Sequence, residues 1–232
     1  MEATLGFFGK LPSHGDFLRR DLPLSFTVPW DQWLQSGIAA SQDQLGERDW
    51  LKGYLTAPLW RFCLRPGLCG KSPWMGVLLP SVDRVGRYFP LTGALRLSEQ
   101  QSLFQIAAQT RWLQALESLL LQALEETLTA DVLQDRLRDL GPPSLDLVHP
   151  PIAPESQESD ALILRFSEPE DAAAGPSFLA EELAFQRYGD FSLWWTAGSA
   201  KVWPTARLYR GLPAPDTFAT FLWTDSHSDQ DE

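Results

Sequence analysis

Leu59-Trp60-Arg61-Phe62-Cys63-Leu64-Arg65, answered after a turn by Trp74-Met75-Gly76-Val77-Leu78-Leu79, is the stretch from which the fold can be read. Its period is two. Trp60, Phe62 and Leu64 point one way and Arg61, Cys63 and Arg65 the other, the alternation of a half-buried strand. Pro66-Gly67 and Gly70-Lys71-Ser72-Pro73 supply the turn, so the second run is expected to return antiparallel to the first. After a loop from 80 to 90, residues 91–97 read as a third strand. Residues 5–9, 161–166 and 191–196 read as further strands, and Gly198-Ser199 turns into a segment around Val202-Trp203.

Helical spacing fills the intervals. Pro29 suits a first helical position, and Trp30, Trp33, Leu34 and Ile38 share one face behind it. Trp50, Leu51, Tyr54 and Leu55 mark another short helical stretch. Ser98 with Gln101 matches a capping box, which opens what is expected to be the longest helix, running to about residue 128 with Phe104, Trp112, Leu116 and Leu119 on its stripe. Thr129 caps a shorter helix that Gly141-Pro142-Pro143 stops. A loop rich in Pro, Ser and acid runs to Asp160, a second acidic loop precedes a helix over 177–188, and a closing helix lies near 218–223. Strands come in adjacent pairs and helices in separate runs. The expectation is an α/β fold, a three-layer α/β/α sandwich with a mixed, largely antiparallel sheet.

Ten Trp, spread from Trp30 to Trp223, point to one core recruited from the whole 232-residue chain. No linker divides it, so residues 1–224 are expected to form a single domain, with a polar tail over 225–232 too hydrophilic to pack. The N-terminus lacks a basic, apolar leader, no run reaches the roughly 18 apolar residues of a membrane span, and two Cys make no disulfide framework. A cytoplasmic protein without membrane insertion is expected. Residues 1–100 carry 11 Lys/Arg against 9 Asp/Glu and residues 101–232 carry 8 against 21, which gives +2 and −13, the net −11. An acidic second part argues against nucleic acid as a partner.

Chemical motifs are suggested and then fail. Gly70-Lys71-Ser72 lacks the leading glycine of a phosphate loop, because residue 65 is Arg65, and Gly9-Lys10 is followed by Leu11 rather than a hydroxyl residue. His14, Asp16 and Asp83 could be assembled as a base or a metal site, yet no motif supplies the remaining roles. Ser13 and Ser81 adjoin prolines, where a hydroxyl closes turns. No catalytic, metal-binding or cofactor-binding residue is assigned. Trp194 and Trp195 alternate to opposite faces of their strand, as core residues or, in the sharper reading, as a stacking platform.

The block Gly6-Phe7-Phe8-Gly9-Lys10-Leu11-Pro12-Ser13-His14-Gly15-Asp16-Phe17 resembles a signature of the type VI secretion-associated TagF family, Gly-Lys-x-Pro-x-x-Gly-Asp-Phe. Pro80-Ser81-Val82-Asp83-Arg84-Val85-Gly86-Arg87-Tyr88-Phe89-Pro90-Leu91 resembles its second signature. Ser192-Leu193-Trp194-Trp195 with Gly198, then Gly211-Leu212-Pro213 before Phe218, resembles its third. The resemblance implies a three-layer sandwich, and a cytosolic Gram-negative protein that represses the secretion apparatus after translation without catalysis. It implies as partner the forkhead-associated scaffold of that system.

The signatures also have a physical reading. Pro12 and Gly15 fix a turn, just before Phe17 in the chain, that presents Lys10 and Asp16 at defined positions, and Gly86 lets the second loop fold tightly enough for Arg87 to reach Asp16 or Asp83. If the two loops meet, these residues either pin the fold or dock a partner. A small-molecule or nucleotide sensor built on the same Gly/Pro loops is the alternative. The sequence carries no signal for oligomeric state.

Overall fold

The structure, a computed structural model, describes residues 4–98, 102–125, 127–143, 149–152 and 161–224. A seven-stranded sheet runs through its middle, in the order β2-β1-β5-β4-β3-β6-β7. The strands are β1 (Leu5–Gly9), β2 (Leu18–Arg20), β3 (Trp60–Leu64), β4 (Trp74–Leu79), β5 (Leu91–Arg96), β6 (Phe191–Thr196) and β7 (Thr205–Arg210). Every neighbouring pair is antiparallel. Trp60 stands opposite Leu78 and Leu64 opposite Trp74, so the opening hairpin forms as its pattern predicts.

Both faces of the sheet are covered, which makes three layers. On one lie α1 (Leu24–Leu55) and the short α6 (Ala219–Leu222), over Trp60, Phe62, Leu64, Trp74 and Trp194. Trp30 stacks 5.9 Å from Trp194 and 4.6 Å from Phe62. A buried indole must place its N–H, and each one here does: Trp30 donates to Thr92 Oγ1 at 2.9 Å, Trp33 to the Pro213 carbonyl at 2.8 Å and Trp60 to the Phe221 carbonyl at 3.0 Å. On the other face α2 (Leu103–Ala107), α3 (Thr110–Glu125), α4 (Ala130–Leu140) and α5 (Gly175–Tyr188) bury an aliphatic core around Met75, Val77, Leu95, Leu116 and Leu120. Thr129 caps α4, its hydroxyl accepting from Val132 N–H.

β3 therefore is not half-buried. Cys63 is as deeply enclosed as Phe62, and the two arginines of its second face reach carboxylates on the helices that cover them. Arg61 pairs with Glu117 through two bonds of 2.6 and 2.8 Å, and Arg65 with Glu181 at 2.8 Å.

Other expectations are corrected. The first helix begins at Leu24 rather than Pro29, because Phe26 and Thr27 already donate to the Pro23 carbonyl and Phe26 belongs in the core. It breaks at Gly46 (φ 72°, ψ 158°), and its two arms are the two stretches seen in the sequence. Those arms together make α1 the longest helix, whereas the one expected from residue 98 is divided into α2 and α3. The halves follow different neighbours: α2 packs on α5, with Leu103 N–H bonded to Glu181 and Phe104 against Phe191, while α3 lies over β4 and β5. Gln101 of the capping box and the tail over 225–232 fall outside the described residues, as does most of the acidic loop before Asp160.

Residues 161–166 form no strand of the sheet; Arg165 makes an isolated bridge to Ile152. The position beside β6 is taken by β7, where a looser segment was expected. Its residues, Thr-Ala-Arg-Leu-Tyr-Arg, are too polar to advertise a strand, and what holds them is stem packing: Arg207 lies 4.7 Å from the Trp60 ring centre. Short 3-10 turns over Pro169–Ala174 and Pro215–Thr217 lead into α5 and α6.

Candidate functional site: two loops pinned by a buried ion pair

β1 and β4 flank β5 and end at the same side of the sheet, so the loops that follow them are delivered to one place. In the first loop Pro12 and Ser13 are the middle of a turn closed by His14 N–H on the Leu11 carbonyl at 3.0 Å. In the second, Gly86 takes φ 87°, which favours glycine, and closes on the Asp83 carbonyl at 3.0 Å. The loops are then joined. Arg84 N–H donates to the His14 carbonyl at 2.9 Å, Ser81 Oγ donates to the Lys10 carbonyl at 2.7 Å, and the Arg87 guanidinium donates to the Gly15 carbonyl.

Asp83 is the centre of the arrangement. Its Oδ1 accepts from the backbone N–H of Val85 at 3.0 Å and of Arg87 at 2.9 Å. Its Oδ2 lies 3.0 Å from Lys10 Nζ and 2.7 Å from Arg87 Nε. Burial by itself would raise the carboxyl pKa, but the Arg87 and Val85 N–H groups together with the Lys10 and Arg87 side chains outweigh it and hold the group well below the usual carboxylate range. Lys10 also sits 4.9 Å from the Phe17 ring centre, and Phe17 packs edge-on to Phe89 at 4.7 Å. The cation is thus sandwiched between a carboxylate and an aromatic face.

The carboxylate that Arg87 reaches is therefore Asp83 and not Asp16, which stands exposed and has no ion pair among the described residues. His14 joins neither aspartate: its Nδ1 contacts Ser13 Oγ at 2.8 Å, and that hydroxyl bonds the Leu128 carbonyl. Ser81 is buried, its backbone N–H and carbonyl both bridged by the Tyr54 hydroxyl at 2.9 and 2.8 Å. Tyr54 is the partner that sequence reasoning missed. It lies on α1, and nothing in its helical spacing reveals that its hydroxyl crosses to a loop 27 residues on.

Trp194 and Trp195 are separated from this cluster and from each other. Trp194 is sealed in the aromatic core and offers no free face. Trp195 lines an open groove of about 620 Å³ between α3 and the β3–β6 pair, beside Arg61 and Glu117.

Asp83 has its acceptors filled, which leaves it no lone pair aimed at a substrate. Burial pushes the Cys63 thiol far up and that of Cys69 up to about 12, so neither is a thiolate near neutrality. Among the described residues no group of three His, Cys, Asp or Glu side chains is placed to hold a metal ion, and no helix is long and apolar enough to cross a membrane. What the site does offer is relief. On a backbone fixed by cross-loop bonds, Asp16, Phe17, Arg84, Val85 and Tyr88 stand in solvent, with Val85 65% exposed and Phe17 52%.

A three-layer sandwich with a wholly antiparallel sheet and a pinned loop pair at one end is the class that fold and site define. The chain belongs to the family described as TagF N-terminal domain, type VI secretion system-associated, whose model matches residues 6–140 and so includes both loops. It is a type VI secretion-associated protein. The crystal structure of PA0076 from Pseudomonas aeruginosa PAO1 is similar to it throughout, with 38% sequence identity, a TM-score of 0.80, and coverage of 97% of this chain and 96% of that one. Among curated proteins, no sequence matches the chain significantly.

Proposed function

We propose that this chain is a cytoplasmic, non-enzymatic repressor of type VI secretion that acts after translation by binding another protein, the forkhead-associated scaffold of the system being its target. The observation that carries this reading is the division of labour in the loop pair. The charged groups that could do chemistry, Lys10 and Asp83, are consumed by each other inside the protein, while exposed polar and apolar side chains crown them. Such a platform binds with little loss of loop entropy, since the backbone is already ordered. Exposed Val85 and Tyr88 supply apolar contact, and Asp16 with Arg84 supplies charge of both signs for orientation.

The test is direct binding. The purified chain, immobilised, is titrated with the purified scaffold, and then the chain with Arg84→Glu and Val85→Asp is compared. Saturable binding that this double change weakens by about tenfold or more supports the reading. No association of the scaffold with the wild-type chain would end it.

A further inference from the structure

The two edges of the sheet are unlike. β2 is three residues long, α4 lies beside it, and Arg20 reaches Asp131 on that helix. Shortness and cover are ordinary protections for an edge. β7 has six residues, and among the described residues nothing pairs with its outer side.

The groups it presents can be assigned. Gly211 N–H donates to the Asp190 carbonyl at 2.7 Å, in register with the pairing of Phe191 to Arg210. Bonded and non-bonded pairs alternate along an antiparallel ladder, so Ala206, Leu208 and Arg210 direct their N–H and C=O away from β6. Arg207 and Arg210 of this strand, with Arg187 of α5 and Lys201 of the β6–β7 connection, put four cations around it on a chain whose net charge is −11. Arg207 donates to Thr220 and covers the Trp60 ring, Arg210 contacts the Arg187 carbonyl, Arg187 lies over Tyr188, and Lys201 lies over Trp223. Among the described residues none of the four has a carboxylate at ion-pair distance; Asp190, at the end of the edge, is turned to Arg65.

We infer that β7 is a docking edge for an extended acidic segment of a partner protein, which adds to the sheet as an eighth strand. Main-chain bonds to Ala206, Leu208 and Arg210 supply the attachment and the four cations select the acidic sequence. The inference stands apart from the loop platform, which serves the opposite half of the sheet, and does not depend on what that platform binds.

The probe is a fluorescein-labelled dodecapeptide of alternating Glu and Val, followed by anisotropy with the full chain at low and raised salt. Saturable binding is expected, weakened by salt, lowered about tenfold by Arg210→Glu and abolished by Leu208→Pro. That proline removes an outward N–H and leaves the β6 ladder intact, a placement edges tolerate; an unchanged melting temperature verifies it. Where Leu208→Pro unfolds the chain, slowed amide exchange at Ala206, Leu208 and Arg210 on adding peptide to the wild type takes its place. Failure of the peptide to bind, binding indifferent to Leu208→Pro in a folded chain, amides that exchange as before, or an edge that pairs only with a second copy in sedimentation would each overturn the inference.

Discussion

Lys10 Nζ lies 3.0 Å from Asp83 Oδ2, and the two side chains are 5% and 0% exposed although they come from loops 73 residues apart in the chain. Removing one partner leaves the other charged and buried, which costs far more than the pair itself contributes. Asp83→Asn deprives Lys10 of the only carboxylate it pairs with among the described residues, whereas Lys10→Met leaves Asp83 with Arg87. The expected order of thermal loss is thus Asp83→Asn first, by roughly 10 °C, then Lys10→Met, then Arg87→Ala, whose guanidinium side chain is 59% exposed. Combining Lys10→Met with Asp83→Asn should recover part of the loss. Calorimetry that ranks Arg87→Ala as the most damaging would contradict the assignment of Asp83 and Lys10 as the pin.

The pair also sets an acid limit. The folded-state pKa of Asp83 is depressed, so its stabilisation is fully present above the unfolded carboxyl value, about 4, and is lost as the pH falls from there through the folded value. Denaturant unfolding followed from pH 7 down to pH 2 should show a constant gap between wild type and Asp83→Asn near neutrality, closing below about pH 4. A gap that stays constant to pH 2 would mean that some other interaction causes it.

Tyr54 anchors the second loop to α1 through one hydroxyl that both donates to and accepts from Ser81. Tyr54→Phe leaves a buried N–H and a buried carbonyl without that partner, and a loss of about 1–3 kcal/mol follows. Exchange of the Ser81 amide should quicken in parallel. An unaltered amide would show that the loop is held without Tyr54.

Gly37 gives a test of the aromatic layer. In a helix Ala normally outdoes Gly by roughly 0.5–1 kcal/mol, but here an added Cβ would stand 2.4 Å from the Phe218 ring. Gly37→Ala is expected to destabilise by about 1–3 kcal/mol through overpacking. A stabilised variant would show that α1 and the closing segment are not in contact there.

The fold was legible where side chains repeat against a surface. Trp60, Phe62 and Leu64 announce β3, and Thr129 with Gly141 bounds α4, because those patterns are local consequences of burial and capping. β7 was not legible, since its packing relies on the stems of Arg207 and Tyr209, which count as polar or ambiguous in a sequence. Residues 161–166 misled for the opposite reason, an apolar run that joins no strand of the sheet and is left half-exposed, while the polar β7 takes the place beside β6. Of the site, the turn residues Pro12, Gly15 and Gly86 declared the loops. The choice of Asp83 over Asp16 rested on which carboxylate sits behind the Val85 and Arg87 N–H groups, a fact of three dimensions.

On the function proposed above, the rim of the loop platform acts while the buried pair merely holds it. The most direct measurement is type VI secretion by cells whose native copy is replaced by the chain carrying Arg84→Glu and Val85→Asp, both exposed positions without a core contact. The expected outcome is a protein of wild-type abundance and melting temperature that no longer restrains secretion. A folded double variant that represses as strongly as the wild type would contradict it.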